Sequence, residues 1–183
     1  MVAGSGHRLI LLAAGLLALV LGSCSPVSVP SKCFVGGKEL QIAQGGYFHP
    51  HSKGTDIIAF EQGITMSVNH EGLYGKGMTI RCDFAHDEAE TLTAGEYRVV
   101  EGTPAVGELR LSVGMLSSSE EKILSYGASG TVNVERESYY HKLTFNLLLS
   151  DGSSISGTWN GLLMRIFDAR TKDYLYKGNG RWE

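Results

Sequence analysis

The chain has no cluster of lysine and arginine, and its 16 basic against 19 acidic side chains leave a formal charge of -3. A protein that tracks a phosphate backbone needs a basic patch, so nucleic acid is not expected as a partner. Long apolar runs are scarcer still. Only residues 9–21 form one, and that run falls short of the about 20 apolar residues a spanning helix takes. Catalytic motifs are missing as well. There is no Gly-x-Ser-x-Gly elbow. His70-Glu71 starts like a zinc-protease helix, but Tyr74 stands where its second histidine belongs. Gly72-Leu73-Tyr74-Gly75-Lys76-Gly77 fails the Walker spacing, which asks for glycine at position 70 and Ser or Thr at 77, where the chain has His70 and Gly77. Asp83, Asp87, Glu88 and Glu90 are acidic neighbours without the EF-hand spacing. The sequence therefore reads as non-enzymatic, with no cofactor expected.

What is present begins at the N-terminus. His7 and Arg8 precede the apolar run, and Leu21-Gly22-Ser23 places small residues directly before Cys24. A short basic start, an apolar core and small residues at the cut are the parts of a secretory signal. With the cysteine in place, the segment resembles a bacterial lipoprotein signal peptide. That resemblance implies removal of residues 1–23 and acylation of Cys24, by chains such as palmitate, as the mature N-terminus. It also implies a membrane partner through the lipid anchor and a place in the bacterial cell envelope, at the outer membrane, with the side it faces left open. Two or more acyl chains hold a soluble domain stably without a spanning helix. Residues 24–37, with Pro26 and Pro30, read as an acylated tether, since proline discourages regular structure. Residues 38–183 read as one domain.

That domain reads as all-β. Short β-rich runs are broken by glycine and polar turns, at residues 40–43, 56–60, 64–69, 78–84, 95–100 and 108–113. The clearest runs are 130–136, 141–149 and 154–160. Val132 and Val134 alternate with Thr131, Asn133 and Glu135, and Leu143, Phe145, Leu147 and Leu149 alternate with Lys142, Thr144 and Asn146. Period-two alternation of this kind marks half-buried strands. Glu137-Ser138 and Asp151-Gly152 are the turn candidates between them, and Asp-Gly is a strong hairpin signal. Residues 116–124 carry capping-box spacing from Ser117 or Ser118 to Glu120 or Glu121, which suits either one short helix or a polar loop. Residues 162–167 and 174–182 suit closing strands. A last strand paired to the first would remove exposed edges, which favours a small antiparallel β-barrel of about eight strands over an open sandwich.

Leu92-Thr93-Ala94-Gly95-Glu96-Tyr97-Arg98-Val99, and the glycine and turn positions from Ser129 through Asp151-Gly152 to Trp159 and Gly161, resemble the strand signatures of Bacteroidetes putative lipoproteins. Those proteins are described as calycin-like or lipocalin-like. The resemblance implies an antiparallel barrel in the envelope and carries over no catalytic or ligand residue. Members displayed at the surface commonly follow the acylated cysteine with acidic residues, whereas this chain continues Ser25-Pro26-Val27-Ser28.

Two residue sets remain as weak candidates for chemistry. His49-Pro50-His51 places two imidazoles one residue apart, a spacing that can share a metal when a third ligand is supplied by His70, His86 or a nearby carboxylate; a solvated loop accounts for them as well. Cys33 and Cys82 are a candidate disulfide in an oxidising compartment, a pairing that sequence spacing leaves open. The aromatic residues can line a ligand cavity or simply fill a core. The leading expectation is a membrane-anchored binding module that uses its barrel mouth or loops, with a small molecule, glycan or envelope protein as ligand. A structural or adhesion module is the alternative, and a metal-dependent hydrolase the minor one.

Overall fold

A computed structural model describes residues 31–43, 45–51, 54–66, 73–87, 92–137 and 140–165. Every element in this range is a strand: β1 Lys32–Val35, β2 Lys38–Leu40, β3 Gly45–His51, β4 Gly54–Phe60, β5 Ile64–Met66, β6 Leu73–Ala85, β7 Gly95–Val99, β8 Glu108–Ser118, β9 Glu120–Glu137, β10 Tyr140–Leu149 and β11 Ser154–Arg165. The all-β architecture read from the alternation is what the chain adopts.

The ladders run in a circuit. Starting from β8, antiparallel pairing leads to β6, β4 and β3, a parallel ladder joins β3 to β11, and antiparallel ladders continue through β10 and β9 back to β8. Strand β7 is wedged where β8 and β9 diverge, antiparallel to β9 and parallel to β8. The hairpin of β1 and β2 lies along the first half of β11. Past β2 the chain meets the end of β4 through the isolated bridge Ile42↔Glu61, with bonds from Ala43 N to Phe60 O and from Gln62 N to Gln41 O. Among the described strands the first, β1, pairs with the last, β11, Lys32 standing opposite Thr158; the partner expected to close the barrel, residues 174–182, lies outside the described residues.

Alternation sorts the side chains. Val132, Val134, Leu143, Phe145, Leu147, Leu149, Ile155 and Trp159 point into one core together with Ile80, Phe84, Leu109, Leu111 and Val113. On the opposite face of β4, β6 and β8, the residues Ile58, Phe60, Ile64, Leu73 and Leu116 form a second, smaller core. The β10–β11 turn behaves as its sequence requires. Gly152 takes φ +83°, and the Asp151 carboxylate accepts hydrogen bonds from Ser153 N at 2.9 Å and Ser153 Oγ at 2.6 Å. These bonds hold its carboxyl below the usual range.

Several expectations are corrected. No helix forms over residues 116–124. Ser118 adopts φ +62° and Ser117 pairs with Glu120, so the segment is the tight turn of the β8–β9 hairpin. The capping-box spacing goes unused because Glu121 is drawn to a cation on another strand. Residues 73–77, part of the glycine-rich stretch that fails the Walker spacing, belong to β6, since Leu73 and Gly75 pair with β5. β1 lies inside the stretch read as tether, because Cys33 is buried against β11. Two ladders are parallel where only antiparallel ones were expected. Residues 162–165 prolong β11 instead of forming a further strand, and the closing strand read at 174–182 lies outside the described residues.

Phe145 is 2% exposed and sits at the middle of the main core. Phe145→Ala is expected to destabilise the domain by about 3–5 kcal/mol, since removing a buried aromatic loses its transfer energy and leaves a cavity. Urea unfolding of both chains measures it, and a cost within experimental error would place Phe145 outside the core.

Candidate functional site

One end of the strand circuit collects the polar residues that the core does not absorb. β9 ends there, β7 and β10 begin there, and β6 finishes there. His141 continues the inward parity of Leu143 and Phe145 and stands opposite Arg136 on β9. Burial, with the Arg136 charge adding to it, holds its imidazole below the ordinary 6.5, in the neutral form at pH 7. Its Nδ1 is buried and has no hydrogen-bond partner among the described residues. On the other flank of β9, Thr93 lies two residues before Gly95, which pairs with Val134. Tyr97 Oη donates to Thr93 O at 2.9 Å and fixes this approach, while Thr93 Oγ1 is buried without a partner among the described residues. Two orphaned polar atoms therefore flank the same strand end. A buried polar atom left unpaired costs roughly 1–3 kcal/mol, and such groups in a native fold call for a specific cause, ligand or ordered water among them.

The candidates from the sequence distribute around this end. His86 is buried and shares a 2.9 Å hydrogen bond between its Nε2 and Thr55 Oγ1, which accounts for that ring as part of the packing. Asp83 is not in a calcium loop; it forms an ion pair with Arg110 at 3.4 Å on the outer face, and Asp87 is exposed. His49 and His51 belong to β3, opposite Asp56 and Gly54, so the loop expected for them is a strand; their side chains lie outside what is described. His70, Glu88, Glu90 and Cys24 also lie outside the described residues. No group of three or more metal-ligating side chains occurs among the described residues. Of the aromatics proposed as cavity lining, Trp159 and Tyr97 are core, whereas Tyr74 and Tyr140 are exposed.

Cys33 and Cys82 are thiols in one core cluster. Burial pushes the Cys33 thiol up to about 12 from 9.0. Burial raises Cys82 as well, with the neighbouring Cys33 and Asp83 adding to it. A buried, neutral thiol is a poor nucleophile, so neither fits a catalytic role.

A buried charged cluster joins residues that no sequence motif groups. Arg81 lies on the outer parity of β6, between the inward Ile80 and Cys82, and its guanidinium pairs with Glu121 from β9. Arg81 Nε donates to the two carboxylate oxygens at 3.1 and 3.0 Å, and Thr79 Oγ1 donates to the same group. To reach them the carboxylate crosses β8 directly over Gly114, where a Cβ would stand 2.6 Å from Thr79 Oγ1 and 2.7 Å from Glu121 Oε1. The side chains of Arg81 and Glu121 are only 7% and 5% exposed. The only sequence signal was an arginine set inside an apolar strand. An ion pair this dry is weak evidence for net stability, yet removing one partner is costly. We read it as a clamp that sets the register of β6, β8 and β9.

Comparison with protein-family models, curated proteins and solved structures finds no match. The assignment therefore rests on the residues themselves. No helix among the described residues is long and apolar enough to cross a membrane.

Two outcomes follow from this geometry. Glu121→Ala is expected to cost about 3–5 kcal/mol by leaving Arg81 buried against no carboxylate, and Gly114→Ala is expected to destabilise by displacing the same carboxylate; urea midpoints unchanged in both would contradict the clamp. The thiols set a pH dependence on the alkaline side. Above 9 an unfolded chain releases protons that the folded chain retains up to about 12 for Cys33, so the folded state binds more protons and stability falls as pH rises through this window. Urea midpoints measured across it should decline less steeply in Cys33→Ala, and a wild-type slope equal to that of the variant would show that the sulfurs do not titrate as thiols.

Proposed function

We propose that the chain is a non-enzymatic envelope lipoprotein, anchored through acyl chains on Cys24, whose β-domain binds a polar ligand at the strand end bearing His141 and Thr93. The ligand class is a small molecule, a glycan or an envelope component. The observation that carries the reading is a pair of buried atoms without a partner among the described residues, His141 Nδ1 and Thr93 Oγ1, on either side of the end of β9. A neutral imidazole nitrogen and a hydroxyl suit an uncharged hydroxyl or amide group, since each can exchange a hydrogen bond with it. The core supports recognition at the rim over recognition in a deep cavity, because Trp159, Phe84, Phe145 and Leu143 fill the interior among the described residues. The same filled interior favours the structural or adhesion module as the second reading. The resemblance of its strand segments to those of Bacteroidetes putative lipoproteins supports an outer-membrane location and a calycin-like barrel in this proposal.

Thr93→Val separates a binding residue from a packing one. Replacing an unpaired buried hydroxyl by a methyl of similar shape is expected to stabilise the free protein by roughly 1 kcal/mol, while ligand binding is lost. Thermal shifts against a panel of neutral oligosaccharides and cell-wall muropeptides test it, with His141→Ala alongside. A ligand response that persists in both variants would remove this end from the binding role. Intact-mass analysis of the mature protein tests the anchor, and an unmodified N-terminus elsewhere than Cys24 would overturn it.

A further inference from the structure

The outer face of the sheet carries an exposed apolar group beside the point where the chain enters the domain. Tyr140 on β10 stands directly opposite Leu162 on β11, and Met164 lies two residues further on the same face of β11. All three are exposed, at 40%, 43% and 48%. The neighbour of Leu162 on its other side is Gly45, which has no side chain to cover it. The described chain begins at Ser31, whose hydroxyl donates to Asn160 O at 3.0 Å and accepts from Asn160 N at 2.8 Å. Asn160 precedes Leu162 by two residues, about 7 Å along the strand.

We infer that Tyr140, Leu162 and Met164 rest on the lipid surface to which the domain is anchored. The inference rests on acylation of Cys24. That residue precedes Ser31 by seven positions, and seven residues span at most about 25 Å when fully extended. The bilayer surface therefore lies within that distance of Ser31, while Leu162, with Tyr140 opposite it, and Met164 stand about 7 and about 13 Å along the strand from the Asn160 that Ser31 holds. The other exposed apolar residue on this face of β10, Leu148, pairs opposite Ser154 at the far end of β11, about 26 Å from Leu162 along the strand. Leu148 stands about 20 Å along the strand from the Asn160 that Ser31 holds, so it reaches the same surface only with the linking residues largely drawn out, whereas the trio reaches it with them slack. An aromatic with a polar tip suits the headgroup level, and the exposed Lys32 at the entry adds attraction to anionic headgroups. Docking fixes the orientation of the domain on the membrane, which a slack link alone leaves free.

The test uses the full acylated chain in vesicles of phosphatidylethanolamine and phosphatidylglycerol, a fraction of which carry bromine on their acyl chains. Tyr140→Trp and Leu148→Trp place a fluorophore at either end of β10, each read against the wild-type emission. The brominated lipids are expected to quench most of the emission added at 140 and little of that added at 148. Adding Leu162→Glu and Met164→Glu to Tyr140→Trp should abolish the quenching while mass and vesicle flotation show the anchor intact. Equal quenching at the two ends, no quenching at 140 in protein shown to be acylated, or quenching that survives the two glutamates overturns the docking surface and leaves the anchor standing. A mature protein without acyl chains, detected by mass, overturns the anchor and the docking surface together.

Discussion

The indole of Trp159 has to be dry and hydrogen-bonded at once, and the arrangement of half the strands follows from meeting both conditions. The ring is fully buried, and its Nε1 donates to Ala43 O at 2.9 Å. Ala43 must therefore lie over the first half of β11, which forces the β1–β2 hairpin to occupy that edge and sends β3 along the second half. Gly46 completes the fit. A Cβ there would stand 2.9 Å from Ile58 O and 3.2 Å from Leu163 Cδ2, so only glycine lets β3 approach both β4 and β11 closely enough to enclose the ring. The parallel ladder between β3 and β11 is the result, and through it the strand circuit is completed.

On the outer face the same sheet solves a different problem. β9 is long, bends between two sets of partners, and changes register against β8 between Val113 and Gly114. Apolar contacts alone specify such a register weakly, since they are non-directional. The carboxylate of Glu121, carried over Gly114 to Arg81 and Thr79, is directional and accepts only one alignment. A slip of one residue would turn it to the wrong face. The cost of drying the charges is offset by the three donors that surround the carboxylate.

The strand end around His141 and Thr93 differs from both. Three buried polar groups elsewhere have partners: Thr55 has His86, Ser125 shares a hydrogen bond with Ser150, and Trp159 has Ala43. Among the described residues His141 Nδ1 and Thr93 Oγ1 have no partner, and groups of this kind call for a cause, of which the proposed ligand is one. With the tether entry and the exposed Tyr140, Leu162 and Met164 close by on the outer face of β10 and β11, the proposed binding end lies toward the proposed membrane surface, which brings envelope components within reach of it.

Local pattern by itself makes the main features legible. The alternation in residues 130–136 and 141–149 marks the inward files of β9 and β10, because side-chain direction in a strand depends only on parity. Asp151-Gly152 announces its turn, because the left-handed backbone there needs glycine. The apolar run of residues 9–21 before Cys24 motivates the proposed signal from local pattern alone. Tertiary structure alone decided which strands neighbour one another, that residues 32–35 leave the expected tether to join β11, that the spacing around Glu120 and Glu121 serves a hairpin and an ion pair instead of a helix cap, and that two polar atoms at the end of β9 lack partners among the described residues. Parity is written within a few residues, whereas partner choice joins positions as distant as Ser31 and Asn160, and it is settled only when the whole set of strands competes for the same buried space.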